Sequence, residues 1–164
     1  MPEKQTLERV RKAKQKGKSV STQAGEFVRE EMHHIREGRH GARSAKQAIA
    51  IGLSKARRAG VSLPPPEKGT VSEKTRRNAK RAYQAGQRRK PKPSRRRSKA
   101  TELALKREPR SAASRKALSQ QARAAARKRT RTERSASARR AARTKGRKGR
   151  SVAARKAART RGER

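Results

Sequence analysis

Three histidines and a pair of glutamates are the first residues in this chain that could do chemistry. Glu30 and Glu31 are followed closely by His33, His34 and His40, and imidazole and carboxylate are donors that a transition metal accepts. Adjacent His33 and His34 would point about 100° apart on a helix, and no Cys or Asp is present to complete a ligand set. We expect solvated or phosphate-contacting histidines, with no metal and no cofactor. Glu30 and Glu31 are not an acid–base pair, because neighbours on a helix do not face each other. Their expected role is to balance Arg29 and Arg36 on a solvated face. No nucleophile stands with a base and an acid, and no glycine-rich phosphate loop occurs. The sequence therefore reads as non-enzymatic, with no small-molecule substrate.

The chemistry the chain does carry in quantity is cationic. It holds 52 Lys and Arg against 12 acids, all of them Glu, for a net charge of +40 in 164 residues. Such a chain repels itself and seeks a polyanion. Nucleic acid presents a phosphate about every 1.7 Å of duplex axis and releases counterions on binding. The candidate contacts are Arg95, Arg96 and Arg97; Arg115, Lys116, Arg123 and Arg127; Arg139, Arg140, Arg143 and Arg147; and Arg155, Lys156 and Arg159. Duplex DNA is the expected partner, bound through phosphate and not through bases. An RNA- or ribosome-associated protein is the first alternative. An adaptor, with a folded head binding a protein while a basic tail tethers it to DNA, is the second.

Other polyanions fit less well. A membrane surface asks for a basic helix with a strong apolar face, and the basic segments carry Ala where Leu, Phe or Trp would be needed. No apolar run is long enough to span a bilayer, and "MPEKQTLERV" has no apolar core for secretion. Absence of Cys fits an intracellular protein. The expected location is cytoplasmic and nucleoid-associated.

The elements that must position these groups divide at "LPPPEKG". Residues 1–66 hold 15 Lys/Arg and 6 Glu, a net +9, whereas residues 67–164 carry a net +31. Three consecutive prolines stop a helix and stiffen the chain. The reading is an α-helical head (1–62), a Pro-rich linker (63–69) and a basic tail (70–164). In the head, a helical hairpin is expected from Gln23–Glu37 and the stretch "SAKQAIAIGLSKARRAG" (44–60), with a weaker helix over Thr6–Lys16. Ser21 or Thr22 could cap the first of the pair, Ser44 with Gln47 makes a capping-box pattern for the second, and Gly38 and Gly60 are natural stops. Phe27, Val28, Met32 and Ile35 should pack against Ile49 and Leu53 as the core.

The tail repeats. "SASARRAARTKG" (135–146) and "SVAARKAARTRG" (151–162) agree at eight of twelve positions with a period of 16. The shared residues are mainly Ala and Arg, so the repeat multiplies charge and builds no core. Low hydropathy with high charge predicts a largely disordered tail with transient Ala/Arg-rich helices. "QRRKPKPSRRRSK" (87–99) should stay extended.

A helix, a short linker and a second helix also suggest a helix-turn-helix, with Arg39, Arg43, Lys46 and Gln47 near the start of the second helix. The linker is longer than that motif uses, and a scaffold helix is weak. Single-strand recognition needs stacking platforms, and Phe27 and Tyr83 are too few.

The head resembles a family of small, basic, largely uncharacterised bacterial proteins marked by "EFV-x-EE" (Glu26–Val28, Glu30–Met32), "G-x-HGARS-x-KQAIAIGLS-x-ARRAG" (Gly38–Ser44, Lys46–Ser54, Ala56–Gly60) and a trailing proline run (Pro64–Pro66). "RSAASRKALSQQARAAARKR" in the tail is similar to the same proteins. The resemblance implies a bacterial source and a DNA-binding or histone-like description that rests on composition. It transfers no site residue. In Lys, Arg, Ala, Pro and Ser content the tail is also similar to linker-histone tails.

Overall fold

The computed structural model describes residues 2–88 and 94–162. The centre of the proline-spaced basic run, residues 89–93, lies outside the described residues. Helix α1 is Lys4–Gln15, α2 Val20–Arg36, α3 Ala45–Arg58, α4 Glu73–Gln87, α5 Arg95–Lys106, α6 Arg115–Arg127 and α7 Arg131–Gly162, with a 3₁₀ turn at Arg110–Ala113. The chain divides into two units, Met1–Gln121 and Ala122–Arg164.

The first unit is built on the α2–α3 hairpin, with α1 laid on α2 and α4 on α3. Local chemistry sets the boundaries. The Ser19 hydroxyl, not that of Ser21 or Thr22, accepts from Thr22 N at the start of α2, and the Ser44 hydroxyl accepts from Gln47 N at the start of α3. Gln47 does not complete a reciprocal box, since its side-chain oxygen accepts from Arg43 N. Gly38 and Gly60 follow the two helices with φ of 79° and 92°, a left-handed stop that a Cβ disfavours.

Two apolar clusters fill the hairpin. Met32, Ile35, Ala42 and Ala48 form one, with Val28 and Ile49 against it. Ala24, Phe27, Ala56 and Val61 form the other, with Leu53, Val10 and Leu63 around them. Ile49 thus packs against the cluster that holds Met32 and Ile35, as Val28 does. Leu53 instead joins Phe27, because α2 and α3 cross near Gly52 and separate the two clusters along their length. Ala112 and Ala113 of the 3₁₀ turn and Leu118 of α6 complete the first cluster, so the packed unit runs well past the prolines. The proline segment is itself held: the Arg57 guanidinium donates to Leu63 O and Pro64 O.

The close crossing makes a paired prediction. A Cβ on Gly52 would lie 2.7 Å from Val28 Cα. Gly52→Ala should therefore force the helices apart and destabilise the fold by about 1–3 kcal/mol. Gly25 is an exposed helical glycine, and a Cβ added there would meet nothing within 4 Å. Gly25→Ala should stabilise by about 0.5–1 kcal/mol. Urea unfolding of the two variants should move in opposite directions.

The largely disordered tail with transient helices is overturned. Residues 95–106, 115–127 and 131–162 are helical, the last run broken at Gly146 (φ 63°, ψ 179°). Low hydropathy argues against a large core but says nothing about local helix energetics. Ala and Arg are both strong helix formers, and side chains cap two of these helices. The Ser114 hydroxyl accepts from Ala117 N ahead of α6. Thr130 and Glu133 form a full capping box ahead of α7: Thr130 Oγ1 accepts from Glu133 N, and Glu133 Oε2 accepts from Thr130 N at 2.7 Å. These bonds hold the Glu133 carboxyl below its usual range, the Thr130 backbone N–H contributing most. A carboxylate there also suits the helix dipole.

Candidate nucleic-acid surface and buried charge cluster

All fourteen candidate cations are exposed. Arg95–Arg97 open α5, consecutive residues that fan around the helix. On α6, Lys116 is exposed near the start while Leu118 packs against the apolar cluster of the first unit; Arg123 and Arg127, one turn apart, are both exposed. In α7, Arg139 and Arg143 are one turn apart, as are Arg155 and Arg159 in the second repeat; Arg140 and Lys156 repeat the same offset, and Arg147 follows the Gly146 break. Apart from Arg159, none of the fourteen is paired with an acid among the described residues. The acids of these helices are engaged elsewhere: Glu102 with Lys106 at 2.9 Å and Glu133 in its cap.

The helix-turn-helix reading loses part of its reading face. Arg39 is held by Glu3 at 2.7 Å and by Glu37 at 2.9 Å, and Gln47 caps Arg43 N. Arg43 and Lys46 remain exposed.

The two glutamates and the histidines are where the sequence reading fails. Glu30 and Glu31 do not lie on a solvated face opposite Arg29 and Arg36; they are buried, at 3% and 0% exposure. Their partner is Lys55 of α3, whose Nζ is 2.5 Å from Glu31 Oε2 and 3.9 Å from Glu30 Oε1. Arg36 instead donates to Ala113 O. His34 is also buried, and its Nε2 donates to Glu3 Oε1 at 2.9 Å. His40 Nε2 stands 3.4 Å from Glu31 Oε1. His33 alone behaves as expected, exposed and beside Glu37. The bond from His34, with that from Arg39 next, holds the Glu3 carboxyl below its ordinary value.

A signal for this burial is present in the periodicity. Ala24, Phe27, Glu31 and Ile35 recur at three and four, so Glu31 sits in the middle of the apolar stripe of α2. Lys55 lies beside Ala48 and Gly52 at the edge of the stripe of α3. Opposite charges on two facing stripes are the mark of a buried pair.

Residues 11–68 match a family of unknown function (DUF6496). The matched span includes Glu30, Glu31, His34, His40 and Lys55 and ends before α5–α7. No curated protein and no solved structure matches the chain. None of the described helices is long and apolar enough to cross a membrane.

Proposed function

We propose that the protein binds duplex DNA without reading sequence, a histone-like, non-enzymatic role exerted through phosphate neutralisation. The observation that carries this reading is the cation array: Arg and Lys set on α5, α6 and α7, exposed and, Arg159 aside, unpaired with acids among the described residues, in a chain of net charge +40. Helical presentation adds to the argument. A side chain fixed at i and i+4 on a helix loses less freedom on reaching a phosphate than one on an extended chain. Phosphate contacts of this kind position a protein on nucleic acid and carry no base information.

The test is fluorescence anisotropy of the full chain with two duplexes of equal length and unrelated sequence, across a salt series. Both should bind alike, and log affinity should fall by roughly 0.9 per phosphate contact for each log unit of salt. Affinity that ignores salt would sink the proposal. An RNA duplex run alongside separates the alternatives: markedly tighter binding to RNA would move the assignment to an RNA-associated protein.

A further inference from the structure

We propose that Glu31, His34 and His40 bind a divalent transition metal of the zinc type. The donor atoms of these three residues lie within 4.8 Å of one another. Zinc held at about 2.0–2.1 Å by each ligand sets tetrahedral donors roughly 3.3 Å apart. The His40 Nε2 to Glu31 Oε1 separation, 3.4 Å, is already that edge.

Hydrogen bonding around the cluster orients the donors inward. His40 Nδ1 donates to Gly41 O at 3.1 Å. That bond places the neutral ring's proton on Nδ1 and leaves the Nε2 lone pair facing a carboxylate oxygen. Two lone pairs do not rest against each other without a cation between or upon them. His34 is held in the same manner, one nitrogen donating to Glu3 Oε1. An imidazole anchored through one nitrogen by a carbonyl or carboxylate is the usual outer arrangement of a metal-ligating histidine. Glu31 adds an independent sign. It is fully buried. Lys55 Nζ engages Oε2, while Oε1 has no hydrogen-bond partner and is turned to His40.

The ligands come from helix α2 and from the segment that joins it to α3. That segment is tied to the second half of the unit by Gly41 N to Leu105 O and Ala42 N to Pro109 O. A metal here would staple the connection between the two core helices. Two imidazoles and a carboxylate suit zinc and its borderline neighbours better than magnesium or calcium, which prefer all-oxygen shells.

The experiment uses the full chain, stripped with chelator and titrated with ZnCl₂ in a calorimeter, then with Co²⁺ for its visible spectrum. We expect one equivalent of zinc taken up with release of protons, an intense Co²⁺ band of low coordination number, and a melting temperature raised by several degrees at saturation. His40→Gln should abolish these effects, and His33→Gln should leave them unchanged. Proton NMR of the wild-type histidines provides a measurement that needs no variant: zinc should shift two of the three imidazoles and spare His33. Zinc uptake that is absent, or equal in His40→Gln, overturns the proposal. So does an NMR titration in which His34 and His40 respond to pH and not to zinc, which would make the occupant a proton.

Discussion

Lys55→Met should cost the first unit about 3 kcal/mol or more of stability. Glu31 is shut off from solvent, and Lys55 is the cation nearest to it; its stem is mostly covered, with the side chain 27% exposed. Removing one member of a buried pair leaves a charge with no partner, which costs about 3–5 kcal/mol. Met keeps the length and apolar bulk of the Lys stem, so packing loss adds little. The double variant Glu31→Gln with Lys55→Met removes the nearer of the two stranded charges and should recover part of the loss, since a buried pair gains little over a neutral substitute while Glu30, 3.9 Å from Lys55 Nζ, keeps its charge. A total stability of only about 5–15 kcal/mol is ordinary for a domain, and a core this rich in Ala has no large reserve. The measurement is urea unfolding of the full chain by circular dichroism, read as a two-by-two cycle. A single Lys55→Met cost below about 1 kcal/mol, or a double variant no better than the single, would mean that the pair does not hold α2 to α3.

The elements legible in the sequence are those whose signals are local. Ser44 ahead of an apolar run, and Gly38 and Gly60 behind two, mark helix ends because caps and left-handed stops depend on a few adjacent residues. Composition misleads on the tail for a related reason. It registers the lack of Leu, Ile and Phe, but a capped Ala/Arg helix gains its stability from propensity and from pairs such as Thr130 with Glu133. That four-residue signature is in the sequence. Long-range pairing is not. Nothing near residue 112 announces that Ala112 and Ala113 close the cluster around Met32 and Ile35; alanine is equally at home on the outside of a helix. Glu3 reaching His34 and Arg39 across some thirty residues is likewise a tertiary fact. For the candidate nucleic-acid residues, the sequence supplies their number and sign, and the structure adds their placement on helices.

Replacing Arg139, Arg140, Arg143, Arg155, Lys156 and Arg159 together by Gln should weaken binding to every duplex by up to about 30,000-fold at 0.15 M salt, which is six contacts at roughly 0.9 log unit each per log unit of salt, taken from a 1 M reference. Gln is close to Arg in helix propensity, so α7 should keep its helical signal and the loss should reflect charge. The slope of log affinity against log salt should become shallower by about 5. On the proposed mode of binding, any one replacement should cost only about five-fold, each contact being one of many with phosphate. The two repeats should behave alike, since Arg139/Arg143 and Arg155/Arg159 have the same helical spacing and the same period. Changing one triplet should therefore give about half the change in slope. A different pattern would redirect the assignment. An unchanged slope in the sixfold variant would place binding on other cations, Arg43 and Lys46 of the first unit among them. Loss of one duplex sequence from a single substitution, with others spared, would mean that the protein reads bases and does not simply neutralise phosphate.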